Sequence, residues 1–232
     1  MTRCNPVKRI FDVACSALAL CLLAPLLLPV VVILRFTGEG EIFYRQQRVG
    51  KDGKMFGLLK FATMLKESPN IGTGFLTTKD DPRVLPFGRF LRKTKINELP
   101  QLINILVGDM SIIGPRPQVK AHFDVLPDHV KRKIIEVLPG LSGIGSIVFR
   151  DEEGILSNGR FGSEFMFNTV ISPYKGALEV WYVENRSLLL DFILVALTVW
   201  YVIFPKSRIC YDIFRTLPPP PDELIGLVCE KT

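Results

Sequence analysis

The stretch VACSALALCLLAPLLLPVVVIL, Val13 to Leu34, runs for 22 residues without a charge. At about 1.5 Å per residue, a helix of that length reaches across the roughly 30 Å hydrocarbon core of a bilayer. A buried core helix fits poorly, because a run that is apolar all round needs covering on every side. A cleaved signal peptide fits poorly too: the apolar run is too long, and no A-x-A site follows it. The LALC before Cys21 is also a poor lipoprotein site. Pro25 and Pro29 sit inside the run, where each removes a helix hydrogen bond and bends the axis. Arg3, Lys8 and Arg9 precede the run and Arg35 follows it. Positive charge prefers the cytoplasmic side, so both ends are drawn there. Two geometries stay open, a spanning helix and a re-entrant helix that bends at Pro25 and returns to its own face. The flanking charges favour the second.

A chain of 232 residues holds one domain plus such a membrane element. Its net charge of +6 suits an anionic partner: a phosphate ester, anionic lipid or nucleic acid. No nucleic-acid module or aromatic platform accompanies the charge, so nucleic acid is not an expected partner. The cysteines are Cys4, Cys15, Cys21, Cys210 and Cys229, which leaves residues 22–209 without a disulfide framework or thiolate metal site. The two histidines, His122 and His129, are seven apart in one amphipathic stretch, Gln118 to Gly140, and read as surface residues on one helix face. Histidine-based nucleophile chemistry and histidine-ligated zinc are therefore poorly supported. An acid, base or nucleophile is expected to be a carboxylate, and a metal to be a hard cation held by oxygen, such as Mg2+. Neither a complete dinucleotide fingerprint nor a P-loop occurs.

Glu41 to Met64 reads as two short strands around the turn VGKDGK, made basic by Arg45, Arg48, Lys51, Lys54 and Lys60. This hairpin reads either as a solvated surface or as a contact for lipid headgroups or phosphate. A polar loop follows over residues 66–82, and KDDPR, Lys79 to Arg83, reads as a helix-entry turn. Leu85 to Lys93 is a short basic helix carrying Arg89, Arg92 and Lys93. In KTKINELPQL, Pro100 is tolerated only in a helix's first turn, which predicts Asn97 as N-cap with Glu98, Leu99 and Pro100 following. Leu99, Leu102, Ile103 and Leu106 then share an apolar face. Such a helix start favours the anion of Glu98 and suits a phosphate. In GDMSIIGPRP, Arg116 sits between Pro115 and Pro117, so its backbone is pre-set and its guanidinium is presented for bidentate phosphate contact. A solvated surface turn is the competing reading.

GLSGIGSIVFRDEEGIL offers turns, a short strand and an acidic cluster, Asp151 to Glu153. Ser187 to Phe204 is strongly apolar, but Asp191 leaves only 13 residues up to Phe204, short for a span. Trp200, Tyr201 and Phe204 before Lys206 and Arg208 suit an interfacial anchor ahead of a Pro-rich tail. The chain divides into a membrane helix (1–36), a catalytic region (37–186) and an interfacial helix with tail (187–232).

Four stretches carry a resemblance: KRIFDVACSALALCLLAPLLLPVVVILRF, IFYRQQRVGKDGKMFGLLKFATM, DPRVLPFGRFLRKTKINELPQLINILVGDMSIIGPRP and YVENRSLLLDF. Together they resemble the bacterial sugar transferases, the monotopic polyprenyl-phosphate phosphoglycosyl transferases. The resemblance implies a compact α/β globule, mostly α with a small β-hairpin, on the cytoplasmic face of the bacterial inner membrane. A Pro-kinked re-entrant helix and amphipathic interfacial helices would hold it there. It implies transfer of a phosphosugar from a UDP-sugar to polyprenyl phosphate with release of UMP, and Mg2+ as cofactor. Expected partners are the UDP-sugar, polyprenyl phosphate, bilayer lipids and a second copy of the chain as a homodimer. The family's centre is an Asp-Glu pair in which the Asp attacks phosphorus and the Glu helps hold magnesium. Here the pair is Asn97-Glu98. Around it the expected phosphate and substrate contacts are Arg116, Lys60, Arg83, Arg92 and Gln101. A carboxamide is a poor nucleophile, though as good a cap as Asp. Three accounts stay open: Glu98 acts as nucleophile or metal ligand, the lipid phosphate attacks directly, or the chain is inactive by nature or by an engineered Asp-to-Asn change. Ala62 in KFATM is a second departure, standing where the family usually has arginine.

Overall fold

The computed structural model describes residues 6–71, 81–150, 152, 155, 163–204, 207 and 209–228. The apolar run forms one long helix, α1 (Pro6–Phe36), which continues through Pro25 and Pro29. The basic hairpin follows as β1 (Phe43–Val49) and β2 (Met55–Phe61), antiparallel, with Phe43 opposite Phe61 and Val49 opposite Met55. Then come α2 (Pro86–Lys93), a 3-10 turn (Ile96–Glu98), α3 (Gln101–Val107) and β3 (Ser111–Ile113). Two short helices, α4 (Lys120–Asp124) and α5 (Asp128–Ile134), lead to β4 (Gly140–Ser142), which pairs parallel to β3. The remainder is helical: α6 (Ile144–Val148), then α7 (Ser163–Met166), which runs through a π-helical turn, Phe167–Ile171, into α8 (Ser172–Asn185). The last three are α9 (Leu188–Ile203), α10 (Ile209–Ile213) and α11 (Asp222–Val228). The fold is mostly helical with two small sheets, in line with the expected class.

The main core gathers Ile144, Ile147, Ile171, Leu178, Tyr182, Leu190, Leu194, Leu197 and Leu224. Helix α9 thus buries one face in the same core as α6 and α8. Its other face, with Leu189, Phe192, Val199, Trp200 and Ile203, is exposed. Ser187 caps it by accepting from the Leu190 N–H at 3.1 Å.

Helix α1 lies against the globule along its length. Near its start Arg9 donates to the carbonyls of Ile105 (2.6 Å) and Leu106 (2.9 Å), closing the C-terminus of α3. Asp12, fully buried, accepts from the Ile112 N–H at 3.0 Å. Midway, Ala19, Leu20 and Leu23 pack against a cluster of Leu58, Leu102, Ile105 and Met110. Toward its end Val30 and Leu34 pack with Phe61 and Leu91. The outward face, including Ile10, Leu18, Leu22, Leu28, Val32 and Phe36, is apolar and exposed. That face is an expanse no water-exposed helix would carry, and it accords with membrane association.

One expectation is overturned. Gln118 to Gly140 is not one helix, so the seven-residue spacing does not align the two histidines. Pro127 starts α5 from an extended conformation, because it lacks an N–H and biases Leu126 away from the helical region. His122 instead packs against Phe167, ring centroids 4.6 Å apart and the planes tilted by 44°.

Candidate active site

The chain enters the expected centre through Lys95, whose φ of 60° is unusual for a residue with a side chain. The tight turn that follows holds Asn97 and Glu98, with the Leu99 N–H donating to Ile96 O at 3.1 Å. Helix α3 begins only at Gln101. Asn97 is therefore not an N-cap, as the position of Pro100 suggested. Its side chain is buried inside the turn, and its Oδ1 meets no hydrogen-bond donor.

Helix α3 is stitched to β2 by Asn104, which accepts from the Leu59 N–H at 2.9 Å and donates to Gly57 O at 2.9 Å. Satisfying that strand's backbone fixes the next residue, Lys60, beside the turn. Its Nζ lies 3.9 Å from Glu98 Oε1. Arg116 comes from the Gly114-Pro115-Arg116-Pro117 loop after β3 and donates from Nη2 to the same oxygen at 2.9 Å. Arg48, on β1, braces that loop by donating to Pro117 O at 3.1 Å and is held by Gln46 at 2.6 Å.

One carboxylate thus faces several cations. Burial alone would raise the Glu98 pKa, but Arg116 and Lys60 override it and hold the carboxyl well below the usual range. Burial drives Lys60 the other way, down to about 7, against the pull of Glu98 and with the help of Arg48, Arg116 and Arg92. Burial likewise lowers Arg48, to about 10, with Arg116 adding to it. Around Glu98 the cations Lys60, Arg116, Arg48 and Arg92 outnumber the nearby carboxylates, an excess that suits an anionic partner.

Of the other expected residues, Arg92 lies in the field felt by Lys60, and its Nη1 reaches Met64 Sδ at 3.7 Å. Gln101, almost fully buried, opens α3. Arg83 is elsewhere. Only 4% exposed, it is gripped by both oxygens of Asp81 (Nη2 to Oδ2, 2.6 Å) and by the carbonyls of Ser68 and Ile71. That geometry makes Arg83 a clamp on its own chain, which corrects the expectation that it is presented to substrate. Ala62 is buried, its N–H bonded to Ile42 O, so an arginine's charge is not replaced there. Of the acidic cluster 151–153, only Glu152 lies within the described residues; it pairs with Lys175 at 2.9 Å.

Sequence reasoning gave no sign of Glu179. It is buried on α8 and accepts from the Arg116 backbone N–H at 3.2 Å. Nor did it foresee the Lys8–Asp191 pair (2.5 Å), which Tyr182 joins by donating to Asp191 at 2.7 Å. Burial and Asp191 push the Tyr182 phenol far up, so it stays a donor there.

Among the described residues no three of His, Cys, Asp and Glu gather as metal ligands. The Ile96–Glu98 turn nevertheless offers two hard oxygen donors, the Glu98 carboxylate and the orphaned, buried Oδ1 of Asn97. Magnesium takes one or two protein oxygens and fills the rest of its shell with phosphate and water, so this small donor set fits it.

Comparison with known proteins agrees with the geometry. Residues 3–205 match the family model for bacterial sugar transferases. The exopolysaccharide production protein ExoY of Sinorhizobium fredii is 37% identical over 206 residues, covering 83% of each chain. The uncharacterized sugar transferase EpsL of Bacillus subtilis is 34% identical over 201 residues, 87% of this chain and 89% of its own. A UDP-glucose:undecaprenyl-phosphate glucose-1-phosphate transferase of Klebsiella pneumoniae is 32% identical over 203 residues, 86% of this chain but 41% of that longer protein. The chain belongs to the bacterial sugar transferase family.

Proposed function

We propose that this chain transfers a phosphosugar from a UDP-sugar to polyprenyl phosphate, giving a polyprenyl-diphosphate sugar and UMP. The observation that carries the reading is the convergence of Lys60 and Arg116 on Glu98, at 3.9 and 2.9 Å, with Arg48 close behind. In the overall exchange, a P–O bond forms to the sugar-bearing phosphorus while its bond to the UMP oxygen breaks. Lys60 and Arg116 balance the charge that builds on the phosphoryl oxygens. Lys60, poised near pH 7, takes up a full proton as the diphosphate brings negative charge to it. Glu98 and Asn97 Oδ1 would hold Mg2+, which would supply neutralisation of diphosphate charge when bound. The exposed apolar faces of α1 and α9 keep the site at the lipid surface where polyprenyl phosphate resides. We place the globule on the cytoplasmic face of the inner membrane, with α1 re-entrant.

Purified protein incubated with Mg2+, polyprenyl phosphate and a panel of UDP-sugars should release UMP. Absence of release with every sugar, in a sample that melts cooperatively, refutes native turnover. A second reading is favoured by one residue: the carboxamide of Asn97 leaves no carboxylate at the position where the family attacks phosphorus. On that reading the chain binds phosphosugar or polyprenyl phosphate without turnover, and Asn97→Asp restores release.

A further inference from the structure

Arg116 has an unusual backbone. Because Pro115 and Pro117 lack N–H groups, the Arg116 N–H is the one main-chain donor across these three residues. Glu179 takes it at 3.2 Å, from 63 residues away. The carboxylate doing so is 3% exposed, and its other oxygen, Oε2, has no hydrogen-bond partner. A half-satisfied buried carboxylate is costly and calls for a reason. The surroundings are shaped to admit it. A Cβ on Gly145 would lie 2.5 Å from Glu179 Oε1 and 3.1 Å from its Cδ. A Cβ on Gly143 would lie 2.3 Å from Gly114 O, at the root of the arginine loop. The glycines of GLSGIGS thus open a notch in which the loop and the carboxylate meet.

We propose that Glu179 is a positioning residue that fixes the Arg116 main chain so that its guanidinium reaches Glu98. Among the described residues several contacts hold the loop, one of them the Gly140 N–H donating to Pro115 O at 2.9 Å. Glu179 takes the Arg116 N–H, Arg48 takes the Pro117 carbonyl at 3.1 Å, and Gln118 Nε2 donates to the Arg116 carbonyl at 3.3 Å. The Glu179 contact comes from α8 and carries the stiffness of that helix to the loop. Glu179 touches no reacting atom; its influence on phosphoryl transfer rests on the role of Arg116 proposed above.

The test reads Arg116 directly. Full-length protein is labelled with phenylglyoxal, and modification at Arg116 is followed by peptide mass spectrometry against exposed Arg89 as reference. Glu179→Leu removes the acceptor, and Gly145→Ala displaces an unaltered Glu179. In each, labelling of Arg116 should rise about fivefold or more, the effect of leaving a buried donor unmet. UMP release should fall by a similar factor. Glu179→Gln keeps an acceptor oxygen in the same place and should stay within about threefold of wild type. Unchanged Arg116 labelling in Gly145→Ala, or in a folded Glu179→Leu, overturns the proposal. So does a Glu179→Gln variant that labels as fast as the leucine variant. If no protein in the series releases UMP yet labelling follows the expected order, the positioning role stands and the proposed transfer falls.

Discussion

Replacing Glu98 by glutamine should empty Lys60 of its proton at neutral pH. In the native site Lys60 titrates at about 7, and Glu98 is the anion that supports its charge. The Nζ–Oε1 distance is 3.9 Å, and the two side chains are 18% and 16% exposed, so solvent screens the pair little. Coulomb's law with an effective dielectric of about 20 gives roughly 4 kcal/mol at that distance, equivalent to about three pKa units. Glutamine keeps the shape and an acceptor oxygen for Arg116 but removes this attraction. The Lys60 pKa should fall further below its native position, because burial and the neighbouring arginines then act on it unopposed. Trace labelling with acetic anhydride across pH 4–9, with Lys60 reactivity read by peptide mass spectrometry, measures this. A loss of UMP release by at least about a hundredfold should accompany it, because the variant loses an anion and a cation of the site together. A Lys60 pKa that stays near 7 or rises in Glu98→Gln would refute the claim that this one carboxylate holds the cluster's protons.

Asn97→Asp should raise UMP release at least about tenfold if the missing carboxylate limits turnover; equal rates in the two proteins would mean that residue 97 is not the attacking group. Asp81→Ala should cost about 1.5–3 kcal/mol in urea unfolding, since it removes the carboxylate that accepts from Nε and Nη2 of the buried Arg83. Stability of the ligand-free protein should pass through a shallow minimum near pH 7. Burial raises Glu179 from 4.5 to about 7, so its contribution is full below about 4.5 and is lost as pH climbs to 7. Burial lowers Lys60 from 10.5 to about 7, so the unfolded chain holds the extra proton above 7 and stability recovers as pH rises toward 10.5. Urea titrations at pH 5, 7 and 9.5 check the pattern, and a maximum at pH 7 counts against it. Gly88→Ala should abolish folding or nearly so, because the new Cβ would sit 2.2 Å from the Thr63 carbonyl oxygen; soluble protein with a native melting temperature would contradict this.

What could be read in the sequence was what local chemistry decides. The hairpin was legible because a Gly-rich turn separates two apolar-spaced runs, and Arg116 was legible because two prolines pre-set it. The Asn97 cap was misplaced for an equally local reason. Pro100 rules out a regular helix begun much earlier, but it permits a 3-10 turn, whose i to i−3 bonds leave Asn97 inside the turn rather than ahead of it. The contacts that build the site lie beyond any local rule, with helix α2 and its connections lying between Lys60 and Glu98, and Glu179 63 residues from its partner. Asp191 makes the point most sharply. In an apolar run it reads as a defect that shortens a membrane segment. In the fold it is the buried partner of Lys8, itself placed by the same logic as a flanking charge of the first run. Each charge looks like the edge of an apolar helix when its own segment is read alone. Only together do they tie α1 to α9, with Lys8 Nζ also donating to Ile113 O at 3.1 Å, one residue before the loop that delivers Arg116. Helix α1 and the loop that carries Arg116 are therefore joined through β3, so changes in how α1 is seated should be felt at Arg116 before they are felt in the core.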